Sequence, residues 1–202
     1  MNKACVAGFI VLLAAAAVVR AQEIPEFPKP GKEHQWLGQL VGEWDTEGEL
    51  FMEPGQPPLK TKGTESVRAI GGFWVLAENK GDFLGQPFTG LLTLGYDAEK
   101  KQYVGTWVDS MTGYLWTYEG AVDNAGKVLT LETEGPCPDR PGELSNFKEV
   151  LEIKSKDHKV FTSSMQGEDG TWTKMMTINY RRKNPGGPQP PRIGFEARPG
   201  GR

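Results

Sequence analysis

His34-Gln35-Trp36-Leu37-Gly38-Gln39-Leu40-Val41-Gly42-Glu43-Trp44 is the stretch on which the reading of the chain turns. Trp36, Leu37, Leu40 and Val41 fall at i, i+1, i+4 and i+5, one face of a short amphipathic helix. Gly42 suits the left-handed residue that commonly ends a helix. Directly afterwards Trp44, Thr46, Gly48 and Leu50 alternate with Asp45, Glu47, Glu49 and Phe51. That period of two is a β-strand with Trp44 inward and acids outward, and Phe51 breaks the polar row at its end. The helix is therefore expected to close one end of a sheet that begins at Gly42.

Strand signals continue from there, separated by turn clusters. Second to tenth strands are expected over Thr61 to Ile70, Phe73 to Asp82, Phe88 to Tyr96, Gln102 to Ser110, Tyr114 to Val122, Val128 to Glu134, Phe147 to Ser155, Val160 to Gln166 and Trp172 to Arg182. The turns include Gly71-Gly72, Asp123-Asn124-Ala125-Gly126 and Asp169-Gly170. The longest break is the loop Gly135-Pro136-Cys137-Pro138-Asp139-Arg140-Pro141-Gly142. About ten short strands in a meander point to an all-β fold, a single antiparallel up-and-down β-barrel whose short N-terminal helix caps one end. A β-sandwich is the alternative, but it needs crossings for which only the Cys137 loop is long enough.

Composition and address narrow the classes. The 202 residues are 38% hydrophobic and 24% charged, with 26 Gly and 15 Pro, ordinary for a globular chain rich in turns. Lys3 followed by the apolar run from Val6 to Val19, and a small-residue site at Val19-Arg20-Ala21, read as a signal peptide over residues 1–21. An exported protein, periplasmic or secreted, is expected, with no membrane span after cleavage. Residues 22–32 read as a proline-rich lead-in, 33–183 as the barrel domain and 184–202 as a disordered Pro/Gly-rich tail. Cleavage removes Cys5 and leaves Cys137 alone, an inert loop thiol without a disulfide partner. The formal charge of −3 becomes −5 without Lys3 and Arg20. Arg192, Arg198 and Arg202 against Glu196 place +2 in the tail, so the body carries −7, which argues against nucleic acid as a partner.

Two features resemble the calycin barrels, the lipocalins and fatty-acid-binding proteins. One is the helix running into Gly42-Glu43-Trp44, similar to their G-x-W start of the first strand. The other is a basic residue, Arg181 or Arg182, at the end of the last strand. In those families such a cation stacks on the floor tryptophan, so the resemblance gives Trp44, Arg181 and Arg182 structural roles. Leu94-Gly95-Tyr96-Asp97, followed by Lys101-Gln102-Tyr103-Val104-Gly105-Thr106-Trp107-Val108-Asp109-Ser110, is similar to the uncharacterised bacterial family catalogued as domain of unknown function 1579, over roughly residues 34–183. Its members are often exported and it has no settled activity, so this likeness implies fold and address alone. The haem-binding nitrobindin-like barrels are a further relative, but their G-x-W-x-G-x-G start is missing: Asp45, Thr46, Glu47 and Gly48 follow Trp44.

No catalytic motif stands out. His34 and His158 are the only histidines, without an H-x-H, C-x-x-C or H-E-x-x-H pattern, so no metal or other cofactor is expected. A G-x-S-x-G elbow is absent. The aromatic rows are the pocket candidates: Tyr114, Trp116 and Tyr118 in one row, Tyr103 and Trp107 with Asp109 in the other. Three readings stand for them, namely core filling, ligand lining and an outer patch. Glu78 and Glu149 fall in phase with apolar neighbours and are candidate inward acids, with Arg68 as a candidate partner. The expected function is the binding of a small hydrophobic or amphipathic molecule in the barrel, without catalysis. An enzyme using the same cavity, with Asp109 or Glu149 as general base, and a filled structural or interaction barrel are the alternatives.

Overall fold

The computed structural model describes residues 27–53 and 55–184. The expected signal peptide, residues 22–26 of the lead-in and all but Asn184 of the tail lie outside the described residues.

Ten antiparallel strands form a closed barrel in which each pairs with its neighbours in sequence and the last pairs with the first. They are β1 (Gly42–Leu50), β2 (Leu59–Ile70), β3 (Trp74–Phe83), β4 (Gln86–Asp97), β5 (Gln102–Asp109), β6 (Trp116–Val122), β7 (Val128–Pro136), β8 (Leu144–Ser155), β9 (His158–Gln166) and β10 (Trp172–Arg182). The meander expected from the turn spacing is this barrel, and a sandwich is ruled out. Closure is made by β1 against β10, with Trp44 opposite Arg182 and Thr46 opposite Tyr180. No strand is left with an open edge.

The period-two pattern assigns the faces. From Trp44 the inward phase passes across the register to Glu65, Asn79, Gly90, Asp109 and their alternates, and round to Ser163 and Tyr180. Glu78 lies on the other phase: it faces outward and pairs with Lys80 at 3.0 Å. Arg68 is outward and exposed as well. The expected Glu78 lining and the Arg68 partnership are thus overturned by register, because a single residue's offset reverses the face.

The N-terminal helix is shorter and earlier than its apolar pattern suggests. It is α1 (Lys32–Leu37), continued by a 3₁₀ turn over Gly38–Leu40. Gly42 is the first residue of β1, at φ 136°, outside the left-handed helical region expected of a helix cap. That positive φ by itself favours glycine, and a Cβ at Gly42 would in addition sit 2.1 Å from the Arg182 Nη1 atom. That guanidinium lies 4.1 Å from the centre of the Trp44 ring. It donates from Nη1 to the Val41 carbonyl at 2.8 Å, from Nη2 to Gln39 at 3.2 Å and from Nε to Lys156 at 3.1 Å. It therefore satisfies carbonyls that the short helix leaves open and covers the tryptophan with the same planar fork. Arg181 is exposed on the outer phase, opposite Asp45, so of the two candidates Arg182 alone covers Trp44.

The helix seals this end, the floor. Leu37, Leu40 and Trp44 are buried with Val75, Leu94 and Leu129. Trp44 donates its Nε1 hydrogen to Leu40 O at 2.9 Å, and Trp36 donates to Gly126 O in the β6–β7 turn at 2.8 Å. His34 Nδ1 accepts from the Gly31 amide at 3.0 Å, so Nε2 carries the hydrogen it gives to Tyr96 O at 3.2 Å. At the opposite end, the mouth, β7 and β8 run further than expected. Gly135 and Pro136 are in β7, Leu144 begins β8, and the buried Cys137 donates its amide to Glu143 O at 3.0 Å. The expected eight-residue loop is a shorter hairpin end, because the alternation of the strands carries through the glycine and proline.

Arg182→Ala leaves two floor carbonyls without their charged donor and uncovers Trp44, and should lower unfolding stability by about 3 kcal/mol in urea titrations. Gly42→Ala should cost less in the Arg182→Ala background than in the native chain, since the atom its Cβ strikes is gone. Additive losses would show that the two positions are not coupled.

Candidate functional site

Floor and mouth halves of the interior are packed differently. Around the floor, Trp44, Val67, Val75, Leu94, Tyr103 and Leu129 are buried. Beyond it, Leu92, Tyr118, Phe161 and Ile178, all of the inward phase, are half-buried and pack against this floor cluster, while towards the mouth Phe147, Met165 and Cys137 form a second buried cluster against which Trp116 packs. Asn79 and Trp107 are inward and half-buried as well. The barrel is therefore plugged at the helix end, and beyond the plug its inward phase carries half-buried aromatic and polar side chains between two buried clusters.

Two glycines make room for inward indoles. The Trp107 ring packs against Gly90, where a Cβ would come within 2.3 Å of its six-membered ring. The Trp116 ring packs against Gly135, where a Cβ would come within 1.9 Å. A side chain at either position would displace its indole. Phe88 stacks on Trp107 with centroids 6.3 Å apart, and Phe147 meets Trp116 edge-on at 5.1 Å.

The six residues of the two aromatic rows separate by height. Trp107, Asp109, Tyr114, Trp116 and Tyr118 gather in the mouth half. Tyr103 stands apart on the floor, edge-on to Trp36 and Tyr96, with its hydroxyl donating to Glu33 O at 3.1 Å. Burial, and then the nearby Glu33 carboxylate, pushes that phenol well above its usual range. Asp109 is occupied by its own turn. Oδ2 accepts from Trp107 Nε1 at 2.9 Å, and Oδ1 from the amides of Met111 and Thr112 at 2.8 and 2.9 Å. Tyr114 precedes β6 and donates to Glu134 O at 3.1 Å. Tyr118 is held far above the usual phenol range by burial first, then by the negative charges of Glu149 and Asp109.

Glu149 is the inward acid that the wall does not satisfy. It is 7% exposed and faces Leu131 and Ser163 across the neighbouring strands. Oε1 accepts from Ser163 Oγ at 3.0 Å, while Oε2 is buried without a hydrogen-bond partner. Burial pushes its carboxyl up to about 8, against the smaller opposing effect of the Ser163 hydroxyl. The other buried acid, Glu65, is matched: Lys159 Nζ donates to its Oε2 and also lies 4.6 Å from the Trp44 ring and 4.5 Å from Tyr180. Burial draws the Lys159 ammonium below its ordinary value, with Glu65 opposing. The sequence reading missed this pair, although Glu65 alternates in phase with Val67 and Lys159 with Phe161.

Outside the barrel wall, a shallow cleft of about 200 Å³ is lined by Glu134, Arg140, Ser145 and Glu168 among others, and Arg140 is already paired with Glu143 and Glu168. Beside it the Ser145 hydroxyl, then the Asp139 and Arg140 amides, hold the buried Cys137 thiol below its ordinary value. His158 interacts with Asn179 Oδ1 at 3.2 Å, away from the interior. Among the described residues, no three of His, Cys, Asp and Glu gather as metal ligands.

A family profile described as a protein of unknown function, DUF1579, matches residues 29–182. Among solved structures, the crystal structure of Rv2717c from M. tuberculosis superposes with a TM-score of 0.59 at 15% identity, covering 77% of this chain and 99% of that one. A redesigned β-barrel, mFAP0, bound to DFHBI, has a TM-score of 0.39 at 14% identity and covers 71% and 99%. The first shows a shared fold. No curated protein matches the chain.

Between about pH 4.5 and 8 the folded chain keeps a proton on Glu149 that the unfolded chain has lost, so stability falls as pH rises through that window. Glu149→Gln removes this dependence. Its melting temperature relative to the native chain should climb between about pH 5 and about pH 9, by the equivalent of a few kcal/mol. A difference flat with pH would show that Glu149 titrates as an ordinary carboxylate.

Proposed function

The chain belongs to the DUF1579 family of proteins of unknown function, and from that premise and the shape of its interior we propose that it binds a small hydrophobic or amphipathic molecule inside the barrel. The observation that carries the reading is a set of inward aromatic side chains, Trp107, Trp116, Tyr118 and Phe161, that the barrel leaves half-buried, together with the buried and unpartnered Oε2 of Glu149. Trp107, Trp116, Tyr118 and Phe161 supply apolar wall, and Glu149 supplies a polar anchor. Asp109 plays a supporting part: it holds Trp107 in place through Nε1 and leaves recognition to the ring. Tyr103 belongs to the floor that closes the site from beneath.

Catalysis by Glu149 is a second reading, favoured by an inward carboxyl that burial pushes up to about 8, within the range a general base uses. It differs from simple carriage in predicting that a bound compound is converted.

Nile red, a neutral dye that brightens in apolar surroundings, should bind with a stoichiometry of about one. Asn79→Trp adds bulk at a half-buried inward position of β3 and should abolish the dye signal while leaving the circular dichroism and the melting transition in place. An unchanged dye isotherm in Asn79→Trp would place the dye outside the barrel. Mass spectrometry of recovered ligands separates carriage from conversion, since only conversion returns a changed mass that Glu149→Gln abolishes.

A further inference from the structure

The polar groups of the interior are not equally provided for. Glu65 has Lys159 as a counter-charge. Asp109 receives three N–H donors. Glu149 has one neutral hydroxyl on Oε1 and nothing on Oε2. The groups facing it across the sheet are Leu131 on β7 and Ser163 on β9, and the phenols of Tyr118 and Tyr180 lie within range of its charge. None of these is a cation. A buried carboxyl so placed is costly in its charged form, and the cost is removed by a positively charged donor. An anion entering the same space would add its charge to those of Glu149 and Asp109. Aromatic faces on the neighbouring wall favour a cation further.

We propose that the interior of the barrel takes a cationic ligand, an apolar body bearing a basic nitrogen, whose N–H group is received by the unpartnered Oε2 of Glu149. The inference rests on the reading of the interior as a ligand site and specifies its chemistry. Oε2 is buried, so a swing of the Glu149 side chain onto the incoming nitrogen is part of binding. Trp107 and Tyr118 flank the apolar body, and the plugged floor limits how deeply it enters.

Three probes with a common body test this: 2-(1-naphthyl)ethylamine, 2-(1-naphthyl)ethanol and 1-naphthylacetate, each titrated calorimetrically into the full chain. At about pH 8.5 the amine is protonated and Glu149 has largely given up its proton. The amine should bind at least about tenfold more tightly than the alcohol, with the acetate weakest. Glu149→Gln should bring the amine to the level of the alcohol and leave the alcohol within about threefold of its native affinity. If alcohol and amine bind equally to the native chain, or the acetate binds best, the cation preference is wrong while the ligand site stands. If the amine preference survives in Glu149→Gln, the cation is recognised elsewhere and the assignment to Glu149 falls. If none of the probes and no Nile red binds, the ligand site and its preference fall together. The ranking on the native chain is decisive even if the Gln variant does not fold.

Discussion

The cation that covers Trp44 joins the start of the barrel to its end. Arg182 is the last residue of β10, and Trp44 stands opposite it near the start of β1, so their contact lies on the seam where the sheet meets itself. The same guanidinium gathers carbonyls from the 3₁₀ turn and from the β8–β9 hairpin. Helix, first strand and last strand are thus tied by one planar group, which passes over Gly42. Loosening this point would release the floor, and with it the closed end of the barrel.

Aromatic residues pack differently at the two ends. Near the helix, Trp36, Tyr96 and Tyr103 meet edge to face. Near the mouth, Trp107 and Trp116 each pack against a glycine, Gly90 and Gly135, where a Cβ would strike the indole. A glycine neighbour lets an indole approach the sheet more closely than a larger side chain would. Polar groups follow the same division, with Glu65 neutralised by Lys159 below and Glu149 left with one free oxygen.

Much of this was legible in the residues. Alternation after Trp44, the turn clusters and the absence of a second helical pattern were enough for ten strands and closure, because each signal is local. That Tyr118 shares a face with Trp116, and Trp107 with Asp109, was legible for the same reason, though not which way those faces point. What local pattern does not carry is which phase is inward in a strand with apolar residues on both faces. Glu78 lies between Ala77 and Asn79 in a strand whose outer face carries Trp74 and Leu76, and only its pairing with Leu91 fixes it outside. Nor does pattern reveal that Asp109 is used up by its own turn, or that a glycine lies under each tryptophan of the mouth. Those are facts about cross-strand neighbours. The two charged residues of the floor could have been found, since both sit in the apolar phase of their strands.

That pair has a consequence for how the barrel assembles. Glu65 and Lys159 lie 94 positions apart, on β2 and β9, strands that flank the β1–β10 seam. They meet only when both strands are in their native alignment. A slip of one residue in either strand turns one of the two to the outside and abandons the other among apolar side chains with no counter-ion. Misaligned ring closures therefore carry a penalty that the aligned one escapes. The buried charges act as a checkpoint on assembly, discriminating among nearly equivalent ways for a long meander to join its two ends.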